Sequence, residues 1–224
     1  MTKSLLKNIT NKFIVIEGNI GSGKTSLAKK ISSQFGGKLI LEKFSTNPFL
    51  PEFYKDPESN ALPLELFFLA ERFHQLNDKQ NLNDLFNKFT ISDYAFFKSK
   101  LFAQNNLRDN ELNLFNKLFN SMYSSMKKPD MIIYLHSNIE RLQINISKRG
   151  REYEKKIEDS YLLNLEKKYL DYLKKQNEFP ILILDISEVD FLKSEEAYNN
   201  IIKEIQNFNK DNGYITSKLR RPMW

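Results

Sequence analysis

The 224-residue chain has no cysteine, only seven glycines and seven prolines, and just two histidines. Without thiols it can form no disulfide, no thiolate zinc site and no cysteine nucleophile, so a bound metal is expected on oxygen ligands. Long hydrophobic runs are also missing: no window approaches the roughly 18 consecutive apolar residues of a membrane span. The opening residues, MTKSLLKNIT, lack the apolar core and small-residue cleavage site of a secretion signal. These absences lead to the expectation of a cytoplasmic protein with no membrane partner. Internal repeats and low-complexity linkers are absent too, and one domain with one substantial core is expected.

The charge that is present is mixed. Lys and Arg number 34 against 28 Asp and Glu, a formal net charge of +6. Much of this basicity alternates with acid, as in LEKKYLDYLKK, the pattern of a solvated helix face, so the excess points to a small anionic ligand ahead of nucleic acid.

Hydrophobic patterning places three buried parallel strands at Phe13–Glu17, Met131–Leu135 and Ile181–Asp185, short runs rich in Ile, Leu and Val that end in acid or turn residues. Lys38–Glu42, after a Gly-Gly pair, and Lys88–Asp93 add two more. Helical periodicity fills Leu62–Lys79, Phe96–Lys127, Ile139–Lys148, Ile157–Lys175 and Glu195–Phe208. Alternation of this kind predicts an α/β fold with a five-stranded parallel sheet flanked by helices. The tail, NGYITSKLRRPMW, shows no periodicity and is expected to be mobile or to dock through Trp224.

The sharpest motif is Gly18-Asn19-Ile20-Gly21-Ser22-Gly23-Lys24-Thr25, which follows a strand and opens a helix. This is G-x-x-x-x-G-K-[ST] in its required setting: glycines let backbone N–H groups surround a phosphate chain, and the helix adds its positive end. Lys24 is expected to reach the β- and γ-phosphates of ATP, and the Thr25 hydroxyl to ligate Mg²⁺. A P-loop does not name the acceptor; for that, acids at the carboxyl ends of strands are the candidates.

An ordered set of further elements resembles the deoxyribonucleoside kinases, especially the bacterial deoxyadenosine and deoxyguanosine kinases. Glu42 lies in an E-x(11)-Y-x-x-P element ending at Tyr54 and Pro57, a helix begins LPLELFFLAERFHQL, a strand ends ISDY, and KRGREYE follows downstream. The resemblance implies a P-loop kinase domain over residues 13–209 with a short basic lid at about 148–156, an N-terminal extension over 1–12 and a tail over 210–224. It implies that Glu42 is the general base for the sugar 5′-hydroxyl and that Asp93 holds Mg²⁺ with Thr25. Lys148, Arg149 and Arg151 then surround the transferring phosphoryl group, while Tyr54 and Glu154 hold the 3′-hydroxyl and leave little room for a 2′-hydroxyl. A homodimer built from the long helices Leu62–Lys79 and Phe96–Lys127 is implied as well.

Two departures stand out. The resembling family carries acid-Arg-Ser after the third strand, whereas this chain reads Asp93-Tyr94-Ala95, leaving Lys98 or the lid arginines to supply the missing charge. Eleven residues beyond Tyr54 stands Glu65, where the family has a base-reading glutamine, and Arg72 follows seven residues later on the same helical face. An ionised carboxylate only accepts hydrogen bonds, which suits guanine's adjacent N1–H and N2–H donors, although Glu65 paired with Arg72 or Lys98 is an open alternative. Phe96, or Phe97 beside it, is the expected stacking partner of the base. The sequence therefore predicts ATP-dependent 5′-phosphorylation of a purine deoxyribonucleoside in nucleoside salvage. A nucleoside monophosphate kinase of the thymidylate kinase type and a non-catalytic nucleotide-binding module are the alternatives.

Overall fold

The computed structural model describes residues 13–44, 47–78, 88–208 and 213–219. The expected N-terminal extension, the end of the helix assigned to Lys79, and Trp224 lie outside the described residues. Six parallel strands form one sheet: β1 (Phe13–Gly18), β2 (Lys38–Ile40), β3 (Thr90–Ser92), β4 (Met131–His136), β5 (Ile181–Asp185) and β6 (Tyr214–Lys218), in the order β2-β3-β1-β4-β5-β6. Eight α-helices are described: α1 (Lys24–Phe35), α2 (Leu50–Lys55), α3 (Pro57–Asn77), α4 (Lys98–Asn106), α5 (Asp109–Tyr123), α6 (Ile139–Arg149), α7 (Asp159–Lys175) and α8 (Glu195–Asn207). None of them is long and apolar enough to cross a membrane.

The near-continuous apolar strands follow from burial on both faces. Along β1, Phe13 and Val15 enter a core shared with α3, α4, α5 and α7, while Ile14 and Ile16 enter a second core with α1 and α8. A half-exposed strand would need polar residues at every second position, and β1 has none before Glu17.

Three differences from the sequence expectation have physical causes. The sheet has a sixth strand where a structureless tail was expected: Tyr214–Lys218 pairs in parallel with β5, from Ile181 opposite Tyr214 to Asp185 opposite Lys218. Its burial alternates between exposed and half-buried, the signature of an edge strand, and the five residues YITSK are too few to show a period clearly. The long helix expected over Phe96–Lys127 is two helices. Leu107 turns extended (φ −102°, ψ 153°) and buries its side chain, and Asp109 (φ 45°) starts the next helix. Finally, α3 begins at Pro57, because Asp56 caps it by accepting from the Ser59 N–H at 3.3 Å and Pro57 is well suited to the first helical position.

Candidate active site

The functional side chains gather beyond the carboxyl ends of β1, β2 and β3, where an open parallel sheet leaves a crevice. Gly18 to Gly23 leave β1 and turn into α1. Gly23, at φ 88° and ψ 13°, occupies the left-handed region open to glycine, and a Cβ at Gly21 would meet the Leu142 carbonyl oxygen at 2.7 Å. Two side-chain amides fasten the loop. Asn19 Nδ2 donates to the Leu162 carbonyl at 2.8 Å, and Asn145 Nδ2 donates to the Gly21 carbonyl at 2.8 Å, so α7 and α6 both hold it.

Lys24 is folded back onto the loop, donating to the carbonyls of Gly18 at 3.0 Å and Asn19 at 2.8 Å. Burial lowers its pKa to about 8, with the Lys98 charge acting in the same direction. Thr25 Oγ1 donates to Asp93 Oδ2 at 2.5 Å, and Asp93 Oδ1 accepts from the Glu42 N–H at 2.8 Å. One carboxylate thus ties the P-loop to the segment after β2. The Thr25 hydroxyl and Asp93 carboxylate form a pair of hard oxygen donors of the kind that would hold Mg²⁺. Ser22 Oγ is buried without a partner inside the P-loop, a donor suited to a phosphate oxygen.

Glu42 stands between two buried cations. Its Oε1 accepts from Arg72 Nε at 2.8 Å and Nη2 at 2.6 Å, and its Oε2 accepts from Lys98 Nζ at 2.7 Å. Burial alone would raise the Glu42 pKa, but Lys98 and then Arg72 outweigh it and hold the carboxyl at about 2. Lys98 therefore occupies the cationic place anticipated for it in the absence of the arginine after Asp93. Arg72 is fixed from behind, its Nη1 donating to Ser99 Oγ at 2.8 Å.

Two cavities share this wall. A cleft of about 560 Å³ is lined by the P-loop, Lys148, Arg149 and Arg151, and residues 186–193 after β5. A smaller cavity of about 110 Å³ is lined by Tyr54, Glu65, Arg72, Phe102, Asn106 and Glu154 among others. Lys24, Thr25, Glu42, Asp93, Arg149 and Arg151 belong to both. A groove of about 590 Å³ outside Phe53, Tyr54, Asn106 and Tyr161 does not reach the P-loop. Within the 3₁₀ turn Glu152–Glu154 and the residues before it, Glu154 accepts from Arg149 and, at 2.9 Å, from Arg151. The Arg151 guanidinium lies 3.4 Å from the centre of the Phe44 ring.

The sequence-assigned residues Gly21, Ser22, Gly23, Lys24, Thr25, Glu42, Tyr54, Glu65, Arg72, Asp93, Lys148, Arg149, Arg151 and Glu154 thus line these two connected cavities, as does Ile20. Gly18 and Asn19 serve through their carbonyls. Phe96 is a correction. It points into the core, stacked on Phe119 at 5.2 Å and Tyr123 at 6.3 Å, and lines neither cavity. Phe97 likewise stacks on Tyr172 at 4.5 Å. Phe102, further along α4, does line the cavity, as does Phe68 of α3.

Glu65 pairs with neither Arg72 nor Lys98, both of which are turned to Glu42. Its Oε1 accepts from Asn106 Nδ2 at 2.6 Å, its Oε2 is buried without a partner, and burial raises its pKa to about 7. Asn106 escaped the sequence reading, because nothing local marks an asparagine in QNNL as facing a residue 41 positions away. Glu17 escaped it as well. This fully buried carboxylate accepts from the Ala95 N–H at 2.7 Å, the Tyr169 hydroxyl at 3.0 Å and the Gly18 N–H at 3.2 Å, and burial raises its pKa.

The chain is 38% identical over 153 residues to the deoxyguanosine kinase of Bacillus subtilis, covering 68% of this chain and 74% of that protein. It is 31% identical over 159 residues to the deoxyguanosine kinase of Lactobacillus acidophilus, covering 66% and 68%. Deoxyadenosine kinase from M. mycoides, solved with dCMP and dCDP, superposes with a TM-score of 0.73 at 25% identity, over 85% of this chain and 98% of that one. The family model described as deoxynucleoside kinase matches residues 14–210, nearly the whole of the described fold, and the chain belongs to that family.

Proposed function

We propose that the protein transfers the γ-phosphoryl group of ATP, with Mg²⁺, to the 5′-hydroxyl of a purine deoxyribonucleoside. The observation that carries this reading is the place of Glu42, in the wall common to the P-loop cleft and the smaller cavity. A nucleoside in the smaller cavity presents its 5′-hydroxyl to Glu42, and the triphosphate in the P-loop cleft presents its terminal phosphorus to that hydroxyl oxygen. Bound to Thr25 and Asp93, the metal would neutralise charge on the phosphate oxygens. Arg72 and Lys98 keep Glu42 ionised and aimed. A carboxylate held at about pKa 2 is a weak base, so it takes the hydroxyl proton late, as the oxygen acquires its bond to phosphorus. Lys24, Lys148, Arg149 and Arg151 supply the positive charge around the phosphates. The segment around Gly150, in the left-handed conformation at the end of α6, acts as a lid on which Arg149 and Arg151 exchange Glu154 for phosphate oxygens.

Tyr54 and Glu154 take the sugar 3′-hydroxyl, and Glu65 with Arg72 faces the base. The likeness to deoxyguanosine kinases and the acceptor character of Glu65 favour purines. Lys98 makes up for the missing arginine after Asp93: it is the cation beside Glu42, and the non-catalytic reading loses its motive. A steady-state panel of deoxynucleosides and their monophosphates with ATP and Mg²⁺ tests the proposal. Product is expected with the purine deoxynucleosides, and turnover confined to the monophosphates would establish a monophosphate kinase instead.

A further inference from the structure

Glu65 is 1% exposed and has one oxygen engaged and one bare. Its neighbours explain how such a group is tolerated. From α3 itself comes Arg72, from α4 Lys98 and Asn106, from α7 Tyr161, and from the segment after β2 Glu42. The two cations are both committed to Glu42, so none of these groups neutralises Glu65 through an ion pair. Asn106 is itself oriented: the Tyr161 hydroxyl donates to its Oδ1 at 3.1 Å, which leaves Nδ2 to donate to Glu65 Oε1. An oxygen that already accepts a hydrogen bond is the poorer place for an acid proton. When the carboxyl is protonated, the proton therefore sits on Oε2, the atom without a protein partner in the wall of the cavity.

The two purines differ at the atom such a group would meet. Guanine carries a proton at N1 and donates; adenine has a bare N1 and accepts. A carboxylate satisfies the first and a carboxylic acid the second. We propose that Glu65 reads the N1 edge of the purine in two protonation states, accepting from deoxyguanosine as the carboxylate and donating to deoxyadenosine as the acid, with Asn106 and Tyr161 fixing which oxygen faces the base. The inference rests on the reading of the smaller cavity as a purine deoxynucleoside site. Burial brings Glu65 to about pKa 7, so both forms are populated near neutrality.

The consequence is a base preference set by pH. The ratio of kcat/KM for deoxyguanosine to that for deoxyadenosine follows the ratio of carboxylate to acid, which changes about tenfold per pH unit. Titrations that affect both substrates alike, such as that of Lys24, cancel in this ratio. The experiment is the ratio measured from about pH 6 to pH 8, where neither base changes its own protonation. The native protein should show the tenfold slope, and Glu65→Gln, whose amide offers a donor and an acceptor at every pH, a flat line. Asn106→Leu removes a hydrogen bond that favours the ionised form, so its slope persists while the crossover moves to higher pH. A flat ratio in the native protein overturns the proposal, as does a slope that survives in Glu65→Gln; an unmoved crossover in Asn106→Leu removes Asn106 from its role. Should Glu65→Gln fail to fold, the native slope and the Asn106→Leu crossover still decide. A site that turns over both purines with a flat ratio leaves the kinase reading standing, whereas no turnover of either purine at any pH defeats that reading as well.

Discussion

Glu42 illustrates how one carboxylate can be both a structural counter-ion and a reacting group. Arg72 and Lys98 are 3% and 6% exposed at their side chains, and Glu42 is the only acid either one bonds among the described residues. Glu42→Gln should therefore act twice. Losing the proton acceptor should lower kcat by about 10²–10⁴, with ATP affinity nearly unchanged. Leaving two buried cations uncompensated should also cost about 3–5 kcal/mol of stability. Pre-steady-state turnover, nucleotide titration and urea unfolding separate the two effects, and full turnover in the variant would remove Glu42 from the chemistry. At this scale the sequence was legible wherever a motif fixed the spacing, as for Lys24, Thr25, Glu42 and Asp93. It failed for Phe96, which lies three residues from Asp93 in sequence but lines neither cavity. The chain turns after β3, so Phe96 enters the aromatic cluster with Phe119 and Tyr123. Asn106 was illegible for the opposite reason, because its partners Glu65 and Tyr161 come from two other helices.

The P-loop is fastened by the elements around it. α6 reaches it through Asn145, α7 accepts from its Asn19 at the Leu162 carbonyl, and α6 approaches so closely that no side chain fits at Gly21. Gly21→Ala would place a Cβ 2.7 Å from a backbone carbonyl at a residue with φ 83°, so the loop or α6 must shift. The expected outcome is a folded protein that has lost most of its thermal protection by ATP and Mg²⁺, where an intact site gains about 2.7 kcal/mol at a ligand concentration of 100 Kd. Protection equal to that of the native protein would show that the close approach is dispensable. Element existence was readable from apolar runs and helical periods. Element ends were not, because they depend on caps and tertiary burial: Asp56 and Pro57 start α3 ahead of Pro63, and the burial of Leu107 breaks the expected single helix. That break places Asn106 at the end of α4, facing the cavity.

For the whole molecule, the layered α/β sheet was legible because strands buried on both faces cannot alternate, and the sixth strand was not, because an edge strand bears only a faint pattern. A homodimer, implied by family likeness, has a candidate surface in Leu114 and Leu118, 48% and 39% exposed and one turn apart on α5. Light scattering should report twice the chain mass, and Leu118→Glu should return it to that of the monomer; a native monomer ends the idea. The sheet and α7 are joined by a pH-sensitive contact. His136, at the end of β4, lies 2.8 Å from Glu166 Oε1, and this hydrogen bond raises the His136 pKa above its ordinary value of 6.5, with Asp185 reinforcing the effect. Because the folded value lies above the unfolded one, the folded state binds the proton more tightly. The stabilisation is complete below about pH 6.5 and fades as pH rises through the folded pKa. Partial exposure keeps it small, under about 1 kcal/mol. Urea unfolding of the native protein and of His136→Asn across about pH 5.5–8.5 should show a gap that closes at the alkaline end. A gap that instead widens with pH would mean that His136 stabilises the fold as the neutral ring, through packing on β4 and not through its charge.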